Sequence, residues 1–128
     1  MSLMMMLELD DQASQSVIRN ALAQCGVVDL IGRENGFEGN FPSSNMYFFF
    51  ESVQDGRLCA EGIEVEWLVG GKIVFVYVIS AFDECSRQLH EFLQCLSKMS
   101  SARWVLSFQY ESVCAVRDDG GLQWLKNF

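Results

Sequence analysis

Glu64 and Glu66 stand two residues apart in the run Ile63-Glu64-Val65-Glu66-Trp67. In an extended chain, side chains at that spacing project from one face, with Glu61 and Glu51 able to come near. Two carboxylates held together suit general acid–base work or the holding of a divalent cation. Catalytic carboxylates usually sit in an apolar cleft that shifts their pKa, and nothing in this stretch demands one. Outward glutamates alternating with apolar residues are also what a solvated sheet face looks like. The pair is therefore read as surface and, opposite a basic partner, as a recognition surface.

Other residues with chemical potential are sparse. His90 is the only histidine, and it lies opposite the apolar stripe of its helix, one turn after Ser86 and Arg87. A Ser-His-acid relay cannot be lined up along one helix, so His90 is expected at the surface. The five cysteines (Cys25, Cys59, Cys85, Cys95, Cys114) are widely spaced without a C-x-x-C pair. They are read as reduced thiols, with Cys25, Cys85 and Cys114 where small apolar residues belong. Only Cys85, one turn from Arg87 and His90, offers any argument for a reactive thiol. Asp118-Asp119-Gly120-Gly121 lacks the glutamate that closes a calcium loop and reads as a turn. Residues 32–44 hold three glycines but no Lys-Ser/Thr after them, so no phosphate cradle is expected. No catalytic residue, cofactor or metal ligand is assigned.

The elements that would position these residues centre on 57–99. Ile63, Val65, Trp67 and Val69 alternate with Glu64, Glu66 and Leu68, which predicts a strand within 58–69. Gly70-Gly71 suits a tight hairpin turn, and the return strand, residues 72–80, is apolar on both faces and should lie inside the sheet. Phe82, Cys85, Leu89, Phe92, Leu93, Leu96 and Met99 recur at helical spacing. Ser80 and Asp83 resemble a capping box at that helix's start.

Before this centre, a helix led in by Asp10 or Asp11 carries Val17, Ile18, Ala21, Leu22 and Cys25 inward and ends at Gly26. Residues 27–31 read as a short strand or an extended lead-in. Residues 32–44 read as one long irregular loop, functional or mobile, whose Phe37 and Phe41 either tuck down as anchors or stay exposed for a partner. Residues 45–53 form an aromatic strand. After the long helix, a strand over 102–110 pairs with Val113-Cys114-Ala115-Val116 through a turn near Glu111. Residues 122–128 make a short helical turn or tail. The apolar start lacks the basic residues and cleavage site of a signal peptide, and residues 1–6 are read as a flexible or added leader.

The net charge of −8 is unevenly spread. Residues 1–66 hold eleven acidic residues against Arg19, Arg33 and Arg57, whereas 67–128 hold six of each sign. Such a field repels nucleic acid and anionic membrane and attracts basic partners. No apolar run approaches the roughly 20 residues of a membrane-spanning helix. A cytoplasmic protein is expected.

Two families share this general character. A small acidic α+β chain with Glu51, Glu61, Glu64, Glu66, the 32–44 loop, and the closing stretches 107–111 and 120–122 resembles bacterial toxin-immunity proteins. That resemblance implies an acidic face laid over a toxin's basic active site. The element order α-βββ-α-ββ-α is similar to the acidic chaperones of type III secretion, which implies a homodimer binding an unfolded segment.

The fold expected is one α+β domain over 1–128, a mainly antiparallel sheet with two amphipathic helices, in the order α-(β)-βββ-α-ββ-(α). The function expected is non-catalytic binding of a basic protein partner such as a toxin. The binding residues expected are Glu34, Phe37, Glu38, Phe41, Glu51, Glu61, Glu64 and Glu66. The alternatives are the chaperone-like dimer and a small carboxylate-using enzyme. Phe48-Phe49-Phe50 must point to both faces of one strand, which predicts an exposed remainder and a homodimer.

Overall fold

The computed structural model describes residues 3–128. Among them the order is β1 (Leu3–Leu9), α1 (Gln15–Gln24), β2 (Ile31–Arg33), β3 (Gly36–Asn40), β4 (Tyr47–Gly56), β5 (Val69–Tyr77), α2 (Phe82–Met99), β6 (Trp104–Phe108), β7 (Ser112–Asp118) and β8 (Gly121–Trp124). The eight strands form one antiparallel sheet ordered β2-β3-β4-β5-β1-β6-β7-β8. The α+β class holds. The chain departs from the expected order at both ends: a strand precedes α1, and β8 stands where a terminal helical turn was an alternative.

β1 is the larger correction. Residues 3–6, expected outside the fold, begin a strand bonded on both sides, to β5 from Leu3↔Tyr77 to Leu9↔Gly71 and to β6 from Met5↔Phe108 to Leu9↔Trp104. The apolar run Met4-Met5-Met6-Leu7 suits a strand with neighbours above and below. The leader reading of Met1 and Ser2 falls outside the described residues.

β5 is interior, as its two-faced apolarity predicts, but the hairpin before it does not form. Its two edges are occupied by β4 and β1, so residues 58–68 have no ladder to join. Gly70 and Gly71 lie within β5 and turn nothing. A Cβ on Gly71 would come within 2.8 Å of the Phe50 ring, and one on Gly70 within 2.8 Å of the Asp11 Cα. These glycines admit close neighbours.

Residues 32–44 are also more ordered than expected. Ile31–Arg33 and Gly36–Asn40 form a hairpin that continues the sheet. The loop after it is pinned to α2 by the buried Gln88, which accepts from the Ser44 hydroxyl (2.5 Å) and donates to the Pro42 carbonyl (2.6 Å).

Both helices cover one sheet face. Ile18 and Leu22 of α1 and Leu89, Phe92, Leu93 and Leu96 of α2 share a core with Met5, Leu7, Leu9, Phe48, Phe50, Ile73, Phe75, Trp104 and Leu106. Each such side chain contributes about 1.5–3 kcal/mol on burial. α1 starts at Ser14, whose hydroxyl accepts from the Val17 amide (3.2 Å), not at Asp10 or Asp11. It closes before Gly26 at φ +85°, the left-handed position that glycine takes without strain. α2 has the expected bounds but no capping box, because Ser80 is taken into a 3-10 turn, Ile79–Ala81.

Candidate functional site

The candidate site lies on the other sheet face, where residues 57–68 cross as a strap. Leu58, Ile63, Val65 and Trp67 turn down against Ala60, Val105, Val116 and Val113 and make a second, smaller core. Glu64 and Glu66 turn outward. The strap lacks a ladder, so its amides need other acceptors. Glu8 of β1, 1% exposed, supplies them: its two carboxylate oxygens accept from Cys59 N (2.7 Å) and Ala60 N (3.0 Å). The Tyr110 carbonyl accepts from Glu61 N (2.7 Å). Gln109 and Tyr110 form the β6–β7 turn with φ of +51° and +67°, a conformation that ordinarily favours Asn-Gly.

Antiparallel register places a row of charges across this face. Glu51 faces Lys72, and Lys72 faces Glu8. Lys72 bridges to Glu51 at 3.1 Å. Burial presses its ammonium downward, but Glu51 and the Tyr110 phenol outweigh this and hold it above its ordinary range. Burial and the hydrogen bond to Glu38 raise the Tyr47 phenol.

The eight expected binding residues separate into three groups. Phe37 and Phe41 are fully enclosed: Phe37 stacks on Phe50 (5.1 Å) under the Arg19 guanidinium, and Phe41 meets Phe48 edge-on (5.4 Å). They are core, so they cannot anchor a partner. Glu38 and Glu51 are already paired, Glu38 with Arg33 (3.1 Å) and the Tyr47 hydroxyl (2.8 Å), Glu51 with Lys72. Glu34 is exposed in the β2–β3 turn.

The strap residues Glu61, Glu64 and Glu66 are likewise exposed and, with Glu34, form the third group. Glu64 and Glu66 share a shallow hollow with Asp118 and Asp119 of the β7–β8 turn. The two arginines in that hollow are engaged. Arg103 Nε donates to Asp10 Oδ2 (3.0 Å), and Arg117 donates to the Ser100 and Ala102 carbonyls. The Asp10 hydrogen bond raises the Arg103 guanidinium, with Asp10, Asp119 and Glu66 adding their charge. Asp10, 2% exposed, thus clasps β6 and does not cap α1.

Sequence reasoning missed Asp118 and Asp119, read only as a turn, and Glu8. The available signal for Glu8 was a lone carboxylate inside the apolar run Met4-Met5-Met6-Leu7-Glu8-Leu9. His90 is half-buried and not a free surface residue: its ring stacks on Phe128 (4.2 Å) and leans on Trp124 (4.8 Å). Cys85 is buried with its thiol toward the Val78 carbonyl, so it does not meet Arg87 or His90 as a reactive thiol would. Of the three adjacent phenylalanines, Phe48 and Phe50 enter the core, and only Phe49 stands on the strap face, partly buried beside the Tyr47 ring (6.1 Å) and opposite Val74. Among the described residues no three His, Cys, Asp or Glu side chains are grouped to hold a metal ion, and no helix is long and apolar enough to cross a membrane. Comparison with protein-family models, curated proteins and solved structures gives no match.

Proposed function

We propose that this chain is an acidic binding protein whose strap meets a basic protein partner, in the way the likeness to toxin-immunity proteins implies. One observation carries the reading: Glu61, Glu64 and Glu66 stand exposed on a strap fastened to the sheet, and Asp118 and Asp119 join them in a hollow whose two arginines they outnumber, Arg103 being already paired with Asp10. A fixed array with an excess of carboxylates speeds encounter with a complementary surface and rejects partners of like charge. The five free thiols fit a reducing compartment, and we place the protein in the cytosol.

The test is co-purification from the native host with wild type and with Glu64→Lys/Glu66→Lys, followed by association kinetics with the partner recovered. A folded basic partner, captured by wild type only and associating more slowly as salt rises, is the expected result. Equal capture by the charge-reversed protein overturns the reading. Self-association is a second reading, favoured by the partly exposed row Tyr47, Val76 and Met4, with Phe49 beside Tyr47. A sedimentation profile that stays monomeric at about 100 μM, a concentration at which even weak dimers populate, removes it.

A further inference from the structure

At the end of the sheet where β1 begins and β5 finishes, an apolar cavity of about 230 Å³ opens beneath the first residue of α2 and the C-terminal tail. Its walls include Leu3, Met5, Tyr77, Phe108 and Phe128. Lys126 is the one charged side chain among its lining residues, and the Lys126 ammonium donates to the Ser112 hydroxyl, also in the lining. Tyr77 is 4% exposed, and its buried hydroxyl has the buried Ser86 hydroxyl as its polar neighbour.

We propose that this cavity is a binding site for a small monocarboxylate with an apolar body, of the aryl-alkanoate or medium-chain fatty-acid class. Size sets the scale of the ligand. An apolar cavity of about 150 Å³ accepts benzene, and drug-sized ligands need about 300 Å³ or more, so 230 Å³ fits one ring or a short chain with a head group. The walls choose its body: aromatic faces from Tyr77, Phe108 and Phe128 favour stacked and edge-on contacts and offer few polar groups to a hydrophilic guest. The cation chooses its head. A carboxylate at Lys126 forms a charge-assisted hydrogen bond, with the Ser112 hydroxyl beside it as a second donor, whereas an ammonium there is repelled. This site lies on the helix side of the sheet, away from the strap, and does not depend on the strap's reading as an acidic surface.

The test uses the full chain with ¹³C-methyl-labelled methionine and 3-phenylpropanoate as the probe, with 3-phenylpropan-1-ol and 3-phenylpropylamine as its neutral and cationic counterparts. Met5 lies in the cavity wall, whereas Met99 ends an 18-residue helix whose first residue is Phe82, about 25 Å away. The expected result is a saturable shift of the Met5 methyl with 3-phenylpropanoate, no shift at Met99, and binding of the alcohol at least about tenfold weaker. Lys126→Gln should weaken the acid by about tenfold and leave the alcohol within about twofold. Leu3→Trp, which adds bulk to the cavity wall, should abolish the Met5 response while Met46 keeps its native shift. No Met5 shift at about 10 mM probe, acid and alcohol bound equally, or Lys126→Gln binding the acid as tightly as wild type each overturns the proposal.

Discussion

Replacing Glu8 with glutamine tests whether one buried carboxylate holds the strap to the sheet. Glu8 is enclosed, and both its oxygens accept backbone N–H groups, from Cys59 at 2.7 Å and Ala60 at 3.0 Å. Glutamine keeps the shape and one acceptor, but it turns an NH₂ group toward a second N–H. One charge-assisted bond becomes neutral and the other is lost, leaving two donors facing each other. Hydrogen bonds to charged groups contribute about 1.5–3 kcal/mol, and a buried donor without a partner costs about 1–3 kcal/mol. Removing the charge also removes the cost of desolvating it, which offsets part of the loss. A net destabilisation of the strap of about 3 kcal/mol follows. At 1.4 kcal/mol per factor of ten, the Cys59 and Ala60 amides should exchange with solvent about a hundredfold faster in Glu8→Gln than in wild type. The Leu7 and Val105 amides, in the paired strands β1 and β6, should change much less if opening is confined to the strap. Hydrogen exchange followed residue by residue reads both. An Ala60 exchange rate within about threefold of wild type would refute the claim that Glu8 replaces a missing strand ladder.

Three further outcomes are expected. A Cβ on Gly36 would stand 1.9 Å from the Phe50 carbonyl oxygen, so Gly36→Ala must force β3 away from β4 and should cost about 2–4 kcal/mol in urea unfolding, whereas Gly32→Ala, with nothing within 4 Å, should cost under about 0.5 kcal/mol. Cys59 is the exposed thiol, Cys85 and Cys114 are buried, and burial followed by the charge of neighbouring Cys95 pushes the Cys25 thiol up to about 12. Titration with a disulfide reagent at pH 8 should therefore show Cys59 reacting first, ahead of the partly buried Cys95, with that fastest phase removed by Cys59→Ser. Burial raises the Tyr77 phenol from 10 to about 12, so its contribution is intact below pH 10 and is lost as pH rises toward 12, by about 3 kcal/mol. Stability of Tyr77→Phe should fall less steeply over that window; equal slopes would refute the assignment.

The helices were legible because their signals are local. The stripe from Phe82 to Met99 repeats over five turns, and no distant strand is needed to interpret it. The strap shows the opposite case. Alternation over residues 63–67 correctly separated the inward Ile63, Val65 and Trp67 from the outward Glu64 and Glu66. That pattern reports only that the chain is extended with one covered face; it does not report which strand lies beside it. Pairing was decided by β1, whose apolar residues arrive some sixty positions earlier and occupy the edge of β5 that a hairpin would have used. The same gap misread residues 32–44, where three glycines suggested an irregular loop. Gly36 is instead required so that β3 can approach the Phe50 backbone.

The acidic character of residues 1–66 was legible, but which carboxylates remain available was not, because register decides it. Glu51 is neutralised by Lys72 only once β4 pairs with β5 at that step, and Glu38 meets Arg33 and Tyr47 across the faces of β2 and β4. Glu64 and Glu66 stay outward because Ile63, Val65 and Trp67, which alternate with them, pack down on the sheet. Asp118 and Asp119, from the charge-balanced half of the chain, reach them because the strap packs down on Val116 of the same strand. The recognition surface and its fastening thus belong to one segment: alternation turns its glutamates outward, and the absent ladder leaves its amides to Glu8. A surface whose carboxylates repel one another keeps its geometry only while that fastening holds. Loosening it through Glu8→Gln should therefore slow or weaken capture of a basic partner even though every exposed carboxylate remains in the chain.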